Sequence, residues 1–300
     1  MTLHRLIRSL AVALLVSLLA LGGARVTFAE TNPDWTTPLP AFHIAGNLYY
    51  VGSRDLASYL ITTPDGDILI NSSLESSPAL IQKSVESLGF KFSDVKILLI
   101  SHAHSDHDAG SAAILKKTGA KYMVMDADVP VVESGGQKDF FYTKDHYPPT
   151  KVDRVLHDGD EVRLGGTVLV AHKTPGHTRG CTTWTMRVKD GSTMRNVVIV
   201  GSWNVNPGFR LVDKPGKPAS YPGIAADYRK TFAVLQSLPC DIFLGAHGAY
   251  FGMLAKLDRA RAGAKDVWLD PEGYRSSVAE RKAAFEAEWN RQKAEGIARR

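Results

Sequence analysis

The sequence predicts an α/β protein in which helices pack on layered β-sheets. The chain has 300 residues, 44% of them hydrophobic, which is enough to bury a substantial core. Its first half begins with a β-hairpin pattern and then alternates helix-length amphipathic stretches with strand-length apolar runs. Its second half contains short apolar runs separated by glycine-containing turns. This order of elements predicts sheets covered by helices.

The first 29 residues have the pattern of an export signal. Arg5 and Arg8 precede an apolar stretch, and residues 9–24 carry no charge. That stretch is shorter than the ~20 residues that span a bilayer, and Thr27-Phe28-Ala29 suits cleavage. We therefore expect a signal peptide over 1–29 and a periplasmic mature protein, with an uncleaved anchor helix as the alternative.

After the signal we expect an extended, proline-rich lead over 30–41 and a single domain over 42–300. The lead has no periodic pattern, so disorder is its default state. Its Trp35 could instead fold back over a cleft.

The first half of the domain contains a hairpin and two helix–strand pairs. Pro64-Asp65-Gly66 is a turn between two strand-like runs. A helix then begins with Ser77 as its N-cap and Pro78 as its first residue. The strand 95–100, a short helix over 110–120 and the strand 121–126 follow.

The second half contains further strands and two long helices. Asp158-Gly159, Gly165-Gly166 and Asp190-Gly191 are turns between strands. Residues 224–238 have helical spacing, and the strand 241–247 ends on a histidine. The last helix is expected to open with a capping box from Ser277 to Glu280.

The net charge of +5 and the pI near 9.1 raise the possibility of a nucleic-acid-binding protein. Basic and acidic residues alternate along the chain, however, and no basic stripe is interleaved with aromatic residues. We therefore expect no nucleic-acid partner. We also expect no stable membrane span, and a monomer.

A cluster of histidines and aspartates follows the strand 95–100. In "SHAHSDHDAG", residues 101–110, three histidines and two aspartates lie within seven positions. His177 and His247 follow later apolar runs, 70 and 140 positions after His107. Loops beyond strand ends are where α/β folds collect ligand-binding residues.

The histidine cluster predicts a zinc site. His102 and His104 would point the same way in extended backbone and reach one ion, while Asp106 and His107 in the following turn would reach a second. With His177 and His247 there are six ligands, which suits two Zn²⁺ ions. A polar loop capping the next helix would explain one aspartate, but it would not explain three histidines.

These motifs resemble the metallo-β-lactamase superfamily. "SHAHSDHDAG", "TPGHTRG" and "GAHG" match its zinc motifs in order and spacing. The resemblance implies a four-layer αβ/βα sandwich of two mixed β-sheets with helices on the outer faces. It also implies a dinuclear zinc site whose bridging hydroxide attacks the substrate, with Asp106 both ligating zinc and orienting that nucleophile.

Within the superfamily, the sequence looks like subclass B3. Lactonases and glyoxalase II carry a bridging aspartate where this chain has Gly201-Ser202. The resemblance implies that one zinc is held by His102, His104 and His177. The other would be held by Asp106, His107 and His247.

The segment 133–140 looks like the B3 loop beside the active site. Gln137, Ser202 and Asn204 would therefore contact the substrate, a small-molecule β-lactam with carbapenems included. Two cysteines are present, and the usual partners in relatives are not cysteines here. Cys181 and Cys240 are thus expected to be unpaired thiols.

Other functions remain as alternatives. A different dinuclear zinc hydrolase of the same superfamily, opening a lactone or a thioester, would use the same ligands. A zinc-dependent nuclease is disfavoured by the export signal and the scattered charge. A metal-storage protein would have no need for six ligands around an open cleft.

Overall fold

The computed structural model describes residues 32–297 of the chain. The predicted signal peptide over 1–29 lies outside these residues. Within these residues, the chain from Pro33 onward forms two mixed β-sheets and seven α-helices. The helices are Pro78–Ser87 (α1), Ser105–Asp108 (α2), Ser111–Thr118 (α3), Val129–Glu133 (α4), Ile224–Ser237 (α5), Met253–Arg261 (α6) and Pro271–Ile297 (α7).

The first sheet has seven strands in sequence order. Its first four strands pair antiparallel, and the rest pair parallel. The strands are Phe42–Ala45 (β1), Leu48–Tyr50 (β2), Tyr59–Thr63 (β3), Gly66–Ile70 (β4), Val95–Leu99 (β5), Lys121–Met125 (β6) and Arg154–Leu156 (β7).

The second sheet has five strands in the order β12-β11-β10-β9-β8. Only β11 and β12 pair parallel, and the other neighbours are antiparallel. The strands are Glu161–Leu164 (β8), Thr167–Lys173 (β9), Thr182–Asp190 (β10), Thr193–Val200 (β11) and Ile242–Gly245 (β12).

The central strands of the first sheet are buried on both faces. Because side chains alternate along a strand, Ile97 and Leu99 of β5 join the core shared with the second sheet, while Leu98 faces the opposite way. Leu98 packs in a separate core with Ile81 of α1 and Ile114 of α3. The predicted layers of helix, sheet, sheet and helix are therefore confirmed.

The last helix begins earlier than predicted. The capping box at Ser277–Glu280 is wrong, because α7 starts at Pro271 and those residues lie within it. Asp270 is the true cap: its Oδ1 accepts a hydrogen bond from the Gly273 amide at 2.9 Å, and proline suits the first helical position. The stronger start signal is the Asp-Pro pair, whose Asp270 lies seven residues before Ser277. Among the described helices, none is long and apolar enough to cross a bilayer.

The described part of the N-terminal lead packs against the domain. It contains a 3-10 turn at Pro33–Trp35, and Pro38 forms a β-bridge with Ser53. The start of α1 differs from prediction in one detail: Pro78 is the first helical residue, but the Ser77 side chain makes no capping hydrogen bond.

Candidate metal centre

The six predicted ligands follow the carboxyl ends of strands from both sheets. After β5, His102 and His104 lie on a loop, and Asp106 and His107 lie in the short helix α2. His177 follows β9, and His247 follows β12. The two sheets are joined here by hydrogen bonds: the Trp184 indole of β10 donates to the Ile100 carbonyl at 3.1 Å. The Thr182 amide donates to the Ser101 carbonyl at 2.8 Å. The site therefore lies at the seam between the sheets.

A buried asparagine positions the start of the histidine loop. Asn71 follows β4 with φ of 66°, a left-handed conformation that asparagine tolerates better than most residues. Its side-chain oxygen accepts the Ser101 amide at 2.7 Å, and its side-chain nitrogen donates to the Ala57 carbonyl at 3.0 Å. This pair of bonds holds the strand end from which the ligands project.

We call His102, His104 and His177 the first triad. Its ring centroids are 4.6–4.8 Å apart, and one ligand atom from each ring lies within 4.8 Å of the others. All three side chains are buried. Both ring nitrogens of His102 and the Nε2 of His104 have no hydrogen-bond partner. Buried polar atoms without partners are costly, so this arrangement fits a bound cation.

We call Asp106, His107 and His247 the second triad. The His107 Nε2 is 3.2 Å from the His247 Nε2 and 3.2 Å from the Asp106 Oδ2. The His247 Nε2 is 3.4 Å from the same carboxylate oxygen. Atoms bound at ~2.0–2.2 Å to one tetrahedral ion lie about 3.3–3.6 Å apart. The triangle therefore has close to the dimensions of three zinc ligands.

The first triad is supported mainly through backbone. Asp128 is buried, and its carboxylate accepts bonds from the Ala103 amide at 3.0 Å, the Gly180 amide at 2.8 Å and the Thr178 hydroxyl at 2.8 Å. It thereby joins the loop of His102 and His104 to the loop of His177. The His177 Nδ1 also bonds to the Asn204 carbonyl at 2.9 Å.

Burial keeps most of the imidazoles neutral. It lowers the pKa of His102 and His107, and it lowers the pKa of His177 to about 3. Neutral imidazole is the metal-binding form, so these rings are ready ligands at neutral pH. Burial alone would raise the pKa of Asp106. The neighbouring His107 and His247 stabilise its carboxylate, however, so its pKa falls well below the usual range.

Two histidines differ because carboxylates face them. Burial opposes protonation of His247, but hydrogen bonds to Asp106 and Asp55 prevail and raise its pKa to about 9. Burial likewise opposes protonation of His104, whose pKa is nevertheless raised by Asp139. The Asp139 Oδ2 lies 3.6 Å from the His104 Nε2.

Two members of each triad line an open cleft of about 300 Å³. The cleft is lined by Trp35, His104, Ser105, Asp106, Tyr142, Asp145, His177, Asn204, Asn206, His247 and Tyr250. It combines aromatic walls with amide and hydroxyl groups, as a small-molecule site does.

The three predicted substrate contacts lie in different surroundings. Asn204 lines the cleft, and its Nδ2 donates to the Tyr250 hydroxyl at 3.1 Å. Ser202 is buried, with its Oγ 3.1 Å from the same hydroxyl. Gln137 is exposed and lies outside the residues that line the cleft. Their roles as contacts, like those of the six ligands, remain predictions.

The two cysteines are unpaired, as predicted. Cys181 is buried with its Sγ 3.7 Å from the Ser202 carbonyl, and burial raises the pKa of its thiol. A thiol held protonated is a poor zinc ligand. The contact between Cys181 and Ser202 therefore stabilises the loop behind the cleft.

Sequence reasoning missed several residues of the site. Asp55 contacts His247, Asp139 contacts His104, and Tyr142 and Tyr250 form cleft walls. Asp55 is separated from His247 by 192 positions. No local pattern marks a lone aspartate as the partner of so distant a histidine. Trp35 was the exception, since its place in an otherwise unpatterned lead drew attention to it.

The chain matches a described protein family. The family model of the metallo-beta-lactamase superfamily matches residues 54–247. The chain is 53% identical to the native FEZ-1 metallo-beta-lactamase from Legionella gormanii, over 86% of this chain and 98% of that one, with a TM-score of 0.83.

Two further similarities differ in extent. The class B3 di-zinc metallo-beta-lactamase LRA-12 from an Alaskan soil metagenome is 37% identical over 86% of this chain and 97% of that one, with a TM-score of 0.78. A hydroxyacylglutathione hydrolase from Polaromonas is 32% identical over 40% of this chain and 38% of its own length. The chain thus spans less than two fifths of that curated relative, and 30% of the metal-dependent hydrolase from Anaeromyxobacter that it also matches.

Proposed function

We propose that this chain, which belongs to the metallo-beta-lactamase superfamily, is a zinc-dependent β-lactamase of the subclass B3 type. It hydrolyses the amide bond of β-lactam antibiotics, carbapenems among them. One observation carries the proposal: a compact Asp-His-His triangle lies beside a buried histidine triad, and two members of each line the same open cleft.

Two zinc ions per chain would occupy the site. The first triad would hold one, and the second triad would hold the other. The di-zinc relative from soil metagenome supports this count. When bound, zinc supplies Lewis-acid polarisation of a carbonyl and lowers the pKa of water to about 7.

The residues of the cleft would place the substrate and the attacking water. Asp106 lines the cleft, so its carboxylate can accept a hydrogen bond from that water and orient it. The Asn204 amide and the Tyr250 hydroxyl offer polar contacts to the substrate carboxylate and carbonyl. Water adds to the lactam carbonyl carbon, the C–N bond breaks, and the departing nitrogen takes a proton.

Compartment and substrate range follow from the same proposal. The export pattern of residues 1–29 supports a periplasmic enzyme, where β-lactams meet their targets. The open cleft has about 300 Å³ for a bicyclic substrate. Substituents would extend past Trp35 and Tyr142 at its walls.

The test is imipenem hydrolysis by the purified mature protein. We expect turnover that disappears with a chelator and returns with Zn²⁺, together with two zinc ions per chain by elemental analysis. A folded protein that binds two zinc ions and leaves imipenem, cephalosporins and penicillins intact would sink the proposal.

A second candidate is a lactonase or thioesterase using the same ligands. The likeness to a hydroxyacylglutathione hydrolase favours it. Against it, the family resemblance places Gly201-Ser202 where those enzymes have a bridging aspartate, and the Ser202 hydroxyl bonds to Tyr250. Rates on imipenem, an acyl-homoserine lactone and a glutathione thioester, compared under one zinc concentration, separate the two functions.

A further inference from the structure

The N-terminal segment is tied to the loop that precedes β3. The Asp34 carbonyl accepts the Ser53 hydroxyl at 3.0 Å and the Asp55 amide at 3.2 Å. The Arg54 guanidinium donates to the Asp34 carboxylate at 2.8 Å. Trp35 is thereby held at the edge of the cleft, with its ring centroid 5.9 Å from that of His247.

Asp55 joins this segment to the second triad. Its Oδ2 accepts hydrogen bonds from the His247 Nδ1 at 3.0 Å and from the Trp35 indole at 3.1 Å. Its Oδ1 accepts the Ala249 amide at 2.9 Å. Three donors on one carboxylate, from the N-terminal segment and from both sides of Gly248, leave that side chain in one orientation.

The backbone around Asp55 reinforces the same contact. The Gly248 amide donates to the Asp55 carbonyl at 2.7 Å, and the Ala57 amide donates to the Ala246 carbonyl at 3.0 Å. The segment of Asp55 and Ala57 therefore binds the His247 loop through its main chain, in addition to the contacts of the Asp55 side chain.

We propose that Asp55 is a positioning residue for His247 and that Trp35 orients Asp55, which makes the N-terminal segment part of the second metal site. The inference deepens the proposed function and rests on its zinc-binding second triad. With the Nδ1 proton held by Asp55, the ring turns its Nε2 toward the Asp106 Oδ2 and the His107 Nε2. A carboxylate behind a metal-bound histidine fixes the tautomer and makes the ring a better donor.

The effect should be confined to the second triad. In the first triad, the His177 Nδ1 bonds to a backbone carbonyl of Asn204. The carboxylate beside His104 is Asp139, which bonds instead to the amides of Phe141 and Tyr142. Asp55 and Trp35 make no described bond to any first-triad residue.

The test measures zinc affinity rather than catalysis. Competition with a chromophoric chelator gives the affinity of each zinc equivalent for the wild-type protein and for Asp55→Asn, Trp35→Phe and Asp139→Asn. We expect Asp55→Asn to weaken the second equivalent by about 10- to 100-fold and to leave the first unchanged. Trp35→Phe keeps the ring but loses the donor, and should weaken the same equivalent about threefold, since one hydrogen bond contributes modestly. Asp139→Asn should act on the first equivalent alone.

The opposite pattern overturns the inference. Asp55→Asn that leaves both affinities unchanged, or weakens both equally, would show that Asp55 does not position His247. If Asp55→Asn fails to fold by circular dichroism, Trp35→Phe decides: unchanged affinity of the second equivalent then refutes the role of the segment. Absence of imipenem turnover together with selective loss of the second zinc would reject the proposed function and leave this inference standing.

Discussion

The two triads of the metal centre are built and supported in different ways. The first triad consists of three buried imidazoles, and Asp128 supports it by binding backbone groups of both of its loops. The second triad includes a carboxylate, and Asp55 supports it by binding the His247 ring directly. Two members of each triad line the cleft, but all three first-triad side chains are buried, whereas Asp106 and His247 are partly exposed.

This difference should affect how firmly each triad retains its ion and how easily solvent reaches that ion. A site held by main-chain contacts within the core changes little when the surface moves. A site whose residues are partly exposed and whose support reaches the N-terminal segment is more open to solvent and sensitive to that segment. The first triad is therefore expected to retain its ion more firmly.

The largest effect should come from removing a first-triad ligand. His102→Ala deletes a buried ring whose nitrogens have no hydrogen-bond partner and are free to bind metal. The ion proposed for the first triad should therefore be lost. Loss of Lewis-acid stabilisation worth about 4 kcal/mol lowers kcat/KM by about a thousandfold. His172→Ala is the matched control, because His172 bonds to Thr185 away from the centre and its loss should leave turnover near wild type. More than a tenth of wild-type activity in His102→Ala would break the comparison.

The next-largest effect should appear when a chelator removes zinc from the two triads. Asp106 and His247 of the second triad are partly exposed, whereas the first triad is buried, so a chelator should reach the second ion more readily. We therefore expect two phases of zinc release that differ at least about tenfold in rate. Stopped-flow absorbance with a zinc-sensitive dye measures both phases. His247→Ala should abolish the fast phase only. A single phase, or loss of the slow phase in that variant, would contradict the expected order.

Asp128 should contribute to the pH dependence of the free energy of unfolding. Burial raises the pKa of this carboxyl to about 6, above its value in the unfolded chain. Its contribution is thus fully present below about pH 4 and is lost as the pH rises through about 6, a change of roughly 3 kcal/mol.

Asp128→Asn has no such titration. The stability advantage of the wild type over this variant should therefore shrink between pH 4 and pH 7, as measured by urea unfolding with a chelator present. An advantage that grows with pH would refute the assignment.

The smallest effect should come from the cleft wall. Tyr250→Phe removes a hydroxyl that bonds to Ser202 and Asn204, each at 3.1 Å, and touches no triad nitrogen within hydrogen-bond distance. We expect KM for imipenem to rise about two- to fivefold with kcat nearly unchanged, as for loss of one neutral hydrogen bond. A fall in kcat with constant KM would assign the hydroxyl to the reaction itself.

The fold was predictable where the signal is local. The turn at Pro64-Asp65-Gly66 and the strands around the histidine loop follow from residues close in sequence. The start of α7 was missed because two capping signals competed, and the Asp-Pro pair prevailed over Ser277. The short helix α6 was missed because exposed, charged positions leave little apolar periodicity.

The candidate metal centre likewise contains residues that local sequence predicts and residues that it does not. Its proposed ligands can be predicted from the sequence, because clusters of histidines at strand ends have few other uses. Their supporting groups are not visible, because Asp55 and Asp128 become partners of the centre only through folding. The sequence therefore predicts which atoms can face a metal, while the order of retention depends on contacts that only the fold creates.

The 140 positions between His107 and His247 have a consequence for the chain as a polymer. An ion held by both residues is a reversible cross-link, and closing so long a loop in the unfolded ensemble removes much of its conformational freedom. Both cysteines are unpaired, so among the described residues no disulfide performs this task. Where zinc is scarce, the same chain would lose that cross-link and spend more time open to proteases.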